Sequence, residues 1–341
     1  MPTVVHIDES TQTRFYSVSV RFVRCGHPLP FDVYLKLDVD EPGKESYVRL
    51  WRQGITLTHQ IRDSLARCGI NIIYVHPEYG PDFQRYVEGH LGSVVADESI
   101  ELQERAGILY SSVQETVKDV LREPRAHDLV QRSDEIVRTT QSFLKREPFA
   151  LRHLMRVTSY DYYTYTHSVN VFVFANALAR KLFHNEEALH DFGTGALLHD
   201  IGKSDVDPAI VNASGRLTDE QFAQMKMHTV YGRDILTKQG GVGKVGLDVT
   251  LHHHEKLDGS GYPEGLKGSE VSPYVRILTI CDIFDALTTR RSYKDAMASY
   301  YALHLMKDEM AHHIDLGIFT QFVRMLSEQR DKQRDLRAIA S

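Results

Sequence analysis

The sequence predicts an α+β chain, a small mixed α/β N-terminal domain followed by an all-α bundle, and three observations carry that prediction. Apolar and polar residues alternate in two stretches of the first ninety residues, as in half-buried strands: Tyr16, Val18, Val20 and Phe22, then Val33, Leu35, Leu37 and Val39. From about residue 97 the apolar period lengthens to helical spacing. Beyond residue 149 several segments are apolar nearly all round, the mark of helices buried at the centre of a bundle. A chain of 341 residues is long enough for two such bodies.

The elements follow in order. Glu41-Pro42-Gly43 supplies a turn after the second strand. Thr58 caps a short helix carrying Ile61 and Leu65, which stops near Gly69, and Asn71 to Val75 reads as a buried strand. These residues, 1–96, hold no catalytic constellation and are expected to form a regulatory or sensory domain. Residues 97–148 are charged and poor in glycine, with Val113, Val117 and Val120, then Ile136, Val137 and Phe143, at helical spacing and Pro124 and Pro148 as punctuation. This helical connector suits two roles equally: pairing with a second chain as a homodimer, or packing on the next domain. Residues 149–330 form the bundle. Tyr162 to Phe183 is its central helix, Ala188, Phe192, Ala196 and Leu197 make a face leading into His199, and Val271 to Arg290 is a second apolar helix with Pro273 in its first turn. A final helix carries Leu303, Met306 and Met310.

Composition narrows the function. Charged residues at 25% and hydrophobic ones at 42% are ordinary for a globular chain. A formal charge of -6 excludes a broad DNA- or RNA-binding surface but leaves room for a small anion held by local cations. Cys25, Cys68 and Cys281 lack paired spacing and point to a reducing compartment. The first residues show no signal pattern, and Val169 to Phe183 is interrupted by Asn170, Asn176, Arg180 and Lys181, so no membrane insertion and a cytoplasmic location are expected.

The unusual number is 18 histidines. His199-Asp200 closes the run ALLHDIGK; adjacent side chains on a helix point about 100° apart, so the pair can serve neighbouring metal sites. His252-His253-His254-Glu255 precedes the glycine-rich DGSGYP, which can close as a tight loop. His167 lies in an apolar helix, His228 between the two clusters, and Asp282 in the apolar run ILTICDIFDAL, where an unpaired carboxylate is costly unless a cation neutralises it. Together they supply the mixed nitrogen and oxygen ligands that two divalent ions need. Glu255 is expected to orient a metal-bound imidazole by accepting its other N–H.

The order His167, His199-Asp200, His228, His253-His254, Asp282, with HDIGK and HHEKLDGSGYP, closely resembles the HD-GYP branch of the HD phosphohydrolase superfamily over roughly residues 150–330. The resemblance implies an HD-type helical domain that uses metals, iron or manganese first and nickel, cobalt or zinc as alternatives, to hydrolyse cyclic di-GMP to pGpG or on to GMP. It implies one metal on His167, His199, Asp200 and Asp282 and a second on His228, His253 and His254, with Asp200 bridging. Two cations about 3.5–4 Å apart can activate a shared water for in-line attack on phosphorus. Asp200 and Lys203 are then catalytic, and Lys203, Tyr262, Arg291 and Lys294 match substrate-binding positions. Some members of the family hold a third metal with a glutamate four residues before the first histidine. Here that position is Tyr163, a poor ligand for a hard divalent ion, and Asp161 lies off that face, so two metals are expected. Three rival readings stay open: an HD hydrolase for another nucleotide, a catalytically silent dinucleotide sensor, and a phosphodiesterase for 3'3'-cyclic GMP-AMP.

Overall fold

Alternation at the start of the chain produces strands, as expected, but more of them than the alternation alone marks. The computed structural model describes residues 4–8, 15–37, 44–157, 164–213, 215–290 and 296–339, and divides into two compact units, Met1–Ile100 and Glu101–Ser341. The first unit holds a five-stranded antiparallel sheet built from β1 (Val4–Asp8), β2 (Tyr16–Ser19), β3 (Val33–Leu37), β4 (Lys44–Trp51) and β5 (Ile72–Val75) in the order β1-β4-β3-β5-β2. The first predicted strand stops early: Val20–Phe22 is a 3-10 turn whose Val20 and Phe22 are buried, so apolar alternation there reflects burial and not a ladder. The turn placed at Glu41-Pro42-Gly43 lies outside the described residues. Phe15 stacks on Tyr47 at 4.1 Å and meets Tyr34 edge-on at 5.1 Å, forming an aromatic cluster on the sheet. Helix α1 (His59–Arg67) starts where Thr58 accepts the Ile61 N–H, and α2 (Gly80–Val95) closes the unit.

The regular elements of the second unit, among its described residues, are all helices: α3 (Leu102–Arg122), α4 (Leu129–Arg146), α5 (Ala150–Val157), α6 (Thr164–Leu182), α7 (Glu186–Leu198), α8 (Pro208–Val211), α9 (Asp219–Lys226), α10 (His228–Gln239), α11 (Lys244–His252), α12 (Pro273–Thr288), α13 (Ser299–Glu309) and α14 (Leu316–Ile339). Helices α3 and α4, from the stretch read as a connector, pack within this unit against α5, α6 and α7. Among the described residues no helix is long and apolar enough to cross a membrane.

Local chemistry fixes the helices that matter for the site. Asn185 caps α7 through the Ala188 N–H, and Ser272 caps α12 through the Val275 N–H with Pro273 in the first turn. The start of α11 is held from outside, by Asp191 of α7, whose carboxylate accepts the N–H groups of Gly243 and Val245 at 2.7 and 2.8 Å. That clamp sets α11 against α7 and so brings the triple histidine at the end of α11 towards the His-Asp pair at the end of α7.

Candidate metal centre

The functional side chains lie at helix ends and on two buried helix faces. His167 is on α6, His199 caps the C-terminus of α7, and Asp200 begins the 3-10 turn Ile201–Asp205. The His-Asp pair therefore straddles a helix end and is not carried on one continuous helix, as the sequence suggested. His228 opens α10, His253 and His254 follow α11, and Asp282 is on α12. Two glycines of the motifs are needed for this convergence. A Cβ on Gly202 would stand 1.9 Å from the His228 carbonyl oxygen, and one on Gly261 would stand 2.5 Å from the Glu255 Cα and the Lys256 nitrogen. Gly202 thus lets α10 press onto the HDIGK turn, and Gly261 lets the DGSGYP loop fold back on the histidines.

Asp200 is 1% exposed and sits between two histidine groups. Its Oδ1 faces His228 Nε2 at 3.5 Å and His253 Nε2 at 4.0 Å. Its Oδ2 faces His199 Nε2 at 3.6 Å and His167 Nε2 at 3.9 Å, and accepts from Lys203 Nζ at 2.6 Å. Asp282 repeats the pattern, with Oδ1 3.0 Å from His167 Nε2 and Oδ2 3.7 Å from His254 Nδ1. Two sets of ligand atoms, from His167, His199 and Asp282 and from His228, His253 and His254, each lie within 4.8 Å of one another, as do those of His199, Asp200 and His253. Each set is compact enough to hold a divalent ion.

The hydrogen bonds on the far side of each ring tell what the inward nitrogens carry. His199 Nδ1 meets the Ala196 carbonyl at 2.9 Å, His228 Nδ1 the Met225 carbonyl at 2.7 Å, and His253 Nδ1 the Thr250 carbonyl at 2.9 Å. A carbonyl only accepts, so the proton of each neutral ring is on Nδ1 and the lone pair on Nε2. Burial pushes the His228 imidazole down to about 3 and holds His253 and His199 below the ordinary histidine range, so all three rings are neutral near pH 7. His228 Nε2 and His253 Nε2 then present two lone pairs to each other at 3.3 Å, and His199 Nε2, fully buried, has no hydrogen-bond partner. Buried acceptors facing one another are repulsive unless a cation stands between them. Burial also lowers His254, whose ring opens partly to solvent, to about 4. Burial alone would raise Asp200, but the Lys203 ammonium beside it outweighs this and keeps it ionised. This donor set fits divalent metals.

His252 does not join the cluster. Its Nδ1 pairs with Asp248 Oδ1 at 2.7 Å, and that partner overcomes the burial that would lower its pKa and raises it instead. Glu255 also departs from expectation. Its buried carboxylate accepts the backbone N–H groups of Glu264, Gly265 and Leu266 at 2.7, 2.9 and 3.0 Å, so it fastens the chain that follows DGSGYP in place of a candidate ligand's imidazole. The carboxylate that accepts a candidate ligand's outer N–H is Asp285, which sequence reasoning missed. Its Oδ2 takes His167 Nδ1 at 2.7 Å, and its Oδ1 is held by Asn170 at 2.9 Å and Thr289 at 3.1 Å. The signal was present: Asp285 follows Asp282 by one helical turn in the same apolar run, and the cost of a buried carboxylate applies equally to both.

Above these side chains opens a cleft of about 880 Å³. His167, Asp200, His228, His254 and Asp282 line it, while His199 and His253, both 0% exposed, are seated beneath. Lys203 and Tyr262 reach the cleft, and the Tyr262 ring lies over His254 with centroids 4.8 Å apart. Burial raises the Tyr262 hydroxyl pKa, so it stays protonated. Lys118 and Arg122 of α3 also line the cleft and were not anticipated. Arg291, Lys294, Tyr163 and Asp161 lie outside the described residues.

Comparison with known proteins identifies the family and the fold. A family model described as an HD domain matches residues 138–318, just over half the chain and beginning within α4. A cyclic di-GMP phosphodiesterase of Pseudomonas aeruginosa is 37% identical over 222 residues, covering 64% of this chain and 53% of that protein. A 3'3'-cGAMP-specific phosphodiesterase of Vibrio cholerae is also 37% identical, over 174 residues, covering 51% of this chain and 38% of that protein. The chain thus spans about half or less of the length of these relatives. Among solved structures, an HDG"Y"P protein of Bdellovibrio bacteriovorus superposes with a TM-score of 0.62 over 92% of this chain and 100% of that one; at 18% identity the likeness is one of fold.

Proposed function

The chain belongs to the HD domain family, and on that premise we propose that it is a metal-dependent phosphodiesterase that hydrolyses a cyclic dinucleotide, cyclic di-GMP to linear pGpG. One observation carries the reading: a buried carboxylate, Asp200, turns one oxygen to each of two groups of buried imidazoles, and the neutral rings among them, His199, His228 and His253, turn lone pairs inward. In this proposal one divalent ion is held by His167, His199, Asp200 and Asp282, and the other by His228, His253 and His254 with Asp200 shared. Bound there, the metals supply Lewis acidity at phosphorus and an activated water.

The chain's own groups do the rest. Asp285 holds His167 in the tautomer that points its lone pair inward. The carbonyls of Ala196, Met225 and Thr250 do the same for His199, His228 and His253. Lys203, 2.6 Å from Asp200 and open to the cleft, places a positive charge where negative charge gathers on the phosphoryl oxygens. Lys118 and Arg122 add positive charge to the cleft wall and favour a substrate with two phosphates. Glu255 keeps the loop bearing Tyr262 closed over His254. Iron or manganese is the expected metal, with nickel, cobalt or zinc as substitutes.

The test is anaerobic turnover of cyclic di-GMP and 3'3'-cyclic GMP-AMP by metal-analysed protein, with a His199→Ala/Asp200→Ala control. The two relatives at 37% identity are named for different dinucleotides, which is why both substrates enter it. Linear product at about two metals per chain, lost in the control, is expected. Full metal occupancy without product from either substrate would replace the enzyme by a silent sensor. For residues 1–96 the proposed role is regulatory, since no candidate metal cluster among the described residues falls there. Removing them should change activity, metal content or oligomeric state; no change in any of the three would end that proposal.

A further inference from the structure

The cationic side chains of the cleft suit the phosphates of a dinucleotide, and its bases call for a flat apolar surface beside them. Phe222, on α9, lines the same cleft and is 47% exposed. A single exposed phenylalanine on a protein surface needs no explanation, but this one is held in place on several sides. The capping box between Thr218 and Gln221 fixes the first turn of α9 immediately before it. The Tyr262 ring meets it edge-on with centroids 6.3 Å apart and planes at 84°. The Lys226 ammonium lies 5.3 Å from its centroid and 5.9 Å from that of Tyr262. Tyr262 in turn lies against His254, so Phe222 stands two ring contacts from a candidate metal ligand. A flat apolar ring, oriented by its neighbours and open to a phosphate-binding cleft, has the chemistry of a base-stacking surface.

We propose that Phe222 is the stacking platform for one purine base of the cyclic dinucleotide and a determinant of its recognition. The proposal rests on the phosphodiesterase reading. The competing explanation is structural: Leu217 and Phe222 occupy the positions flanking the capping box where a hydrophobic staple forms, and an apolar side chain of any shape would serve that purpose. Leucine keeps the apolar bulk and removes the aromatic face, and tryptophan restores an aromatic face.

The experiment compares wild type, Phe222→Leu and Phe222→Trp in steady-state turnover of cyclic di-GMP, with inorganic phosphate as a base-free competitive inhibitor and metal content measured throughout. The expected result is a KM raised about 5- to 150-fold in Phe222→Leu and recovered in Phe222→Trp, the range that loss of one base stack predicts. The inhibition constant of phosphate, the metal content and kcat should stay within about twofold. An unchanged KM in Phe222→Leu, or phosphate inhibition and metal content moving in step with it, overturns the platform while leaving the phosphodiesterase standing. A metal-loaded wild type that turns over neither dinucleotide overturns the phosphodiesterase reading, and the platform with it.

Discussion

Asp32 in the N-terminal unit and Asp200 in the C-terminal unit are both buried carboxylates, at 5% and 1% exposure, yet they are matched in opposite ways. Asp32 takes a guanidinium N–H from Arg49 at 3.0 Å and the Gln53 backbone N–H at 2.7 Å. Donors meet acceptors there, and the group is part of the architecture. Among the described residues Asp200 has one such donor, Lys203, and otherwise faces imidazole nitrogens, those of His199 and His228 carrying lone pairs. The lesson is that burial of a charge alone does not mark a site. A site is marked by a buried charge whose neighbours are acceptors too, because only an added cation makes that arrangement favourable.

The widest separation between the two carboxylates should come from removing each. Asp200→Ala is expected to lower dinucleotide turnover by at least about 10³-fold and to lower metal content. Asp32→Asn should cost about 1–3 kcal/mol in the first unit's unfolding and leave turnover and metal content alone. If Asp32→Asn emptied the metal centre, the distinction between the two would collapse.

Asp285 sharpens the comparison, since it is a buried carboxylate matched by donors but in the service of a ligand. Asp285→Asn should weaken metal binding by about 10- to 100-fold in metal-buffer titrations. Wild-type affinity in that variant would reduce Asp285 to the same standing as Asp32.

Acidification probes the neutral imidazoles. The unfolded chain protonates His228 below about pH 6.5, whereas the folded, metal-free chain resists until about 3. The unfolded state binds more protons across that window, so stability falls as the pH falls. The expected loss from this histidine between pH 7 and 5 is about 2 kcal/mol, read by urea unfolding of stripped protein. The slope should flatten in His228→Asn; an unaltered slope would mean that the ring is not held neutral.

The smallest effect is expected at Glu255, whose work is on the loop. Glu255→Gln should speed hydrogen exchange at the Glu264, Gly265 and Leu266 amides by about tenfold, the loss of roughly 1.5 kcal/mol of charge-assisted hydrogen bonding. Slower or unchanged exchange would show that the carboxylate does not fasten the loop.

Legibility differed between the two units for a physical reason. In the first, β4 escaped notice because KESYVRLW mixes charged and aromatic residues in a strand paired on both sides, and α2 because its Gly80-Pro81 start reads as a turn. Helix α14, beyond the segment taken as the last helix, was also missed. In the second unit the central helices were plain, since full burial leaves an apolar run that solvent-facing residues do not interrupt. The motif residues were equally plain, because rare residue types at fixed spacing survive any uncertainty about elements. Lys118, Arg122 and Phe222 were not, since nothing local distinguishes them from ordinary helix residues, whereas Asp285 was marked by the same apolar run as Asp282.

The sequence by itself determined which residue types were available and that HDIGK and HHEKLDGSGYP belong to one chemistry. Tertiary structure alone decided which of three consecutive histidines turn inward, with His252 drawn off by Asp248 while His253 and His254 face the carboxylates. It alone gave Asp200 one oxygen for each histidine group. Successive side chains on a helix are separated by a fixed angle that the sequence dictates, but which of those directions faces the core depends on how α6, α7, α10, α11 and α12 pack together, and no local spacing encodes that.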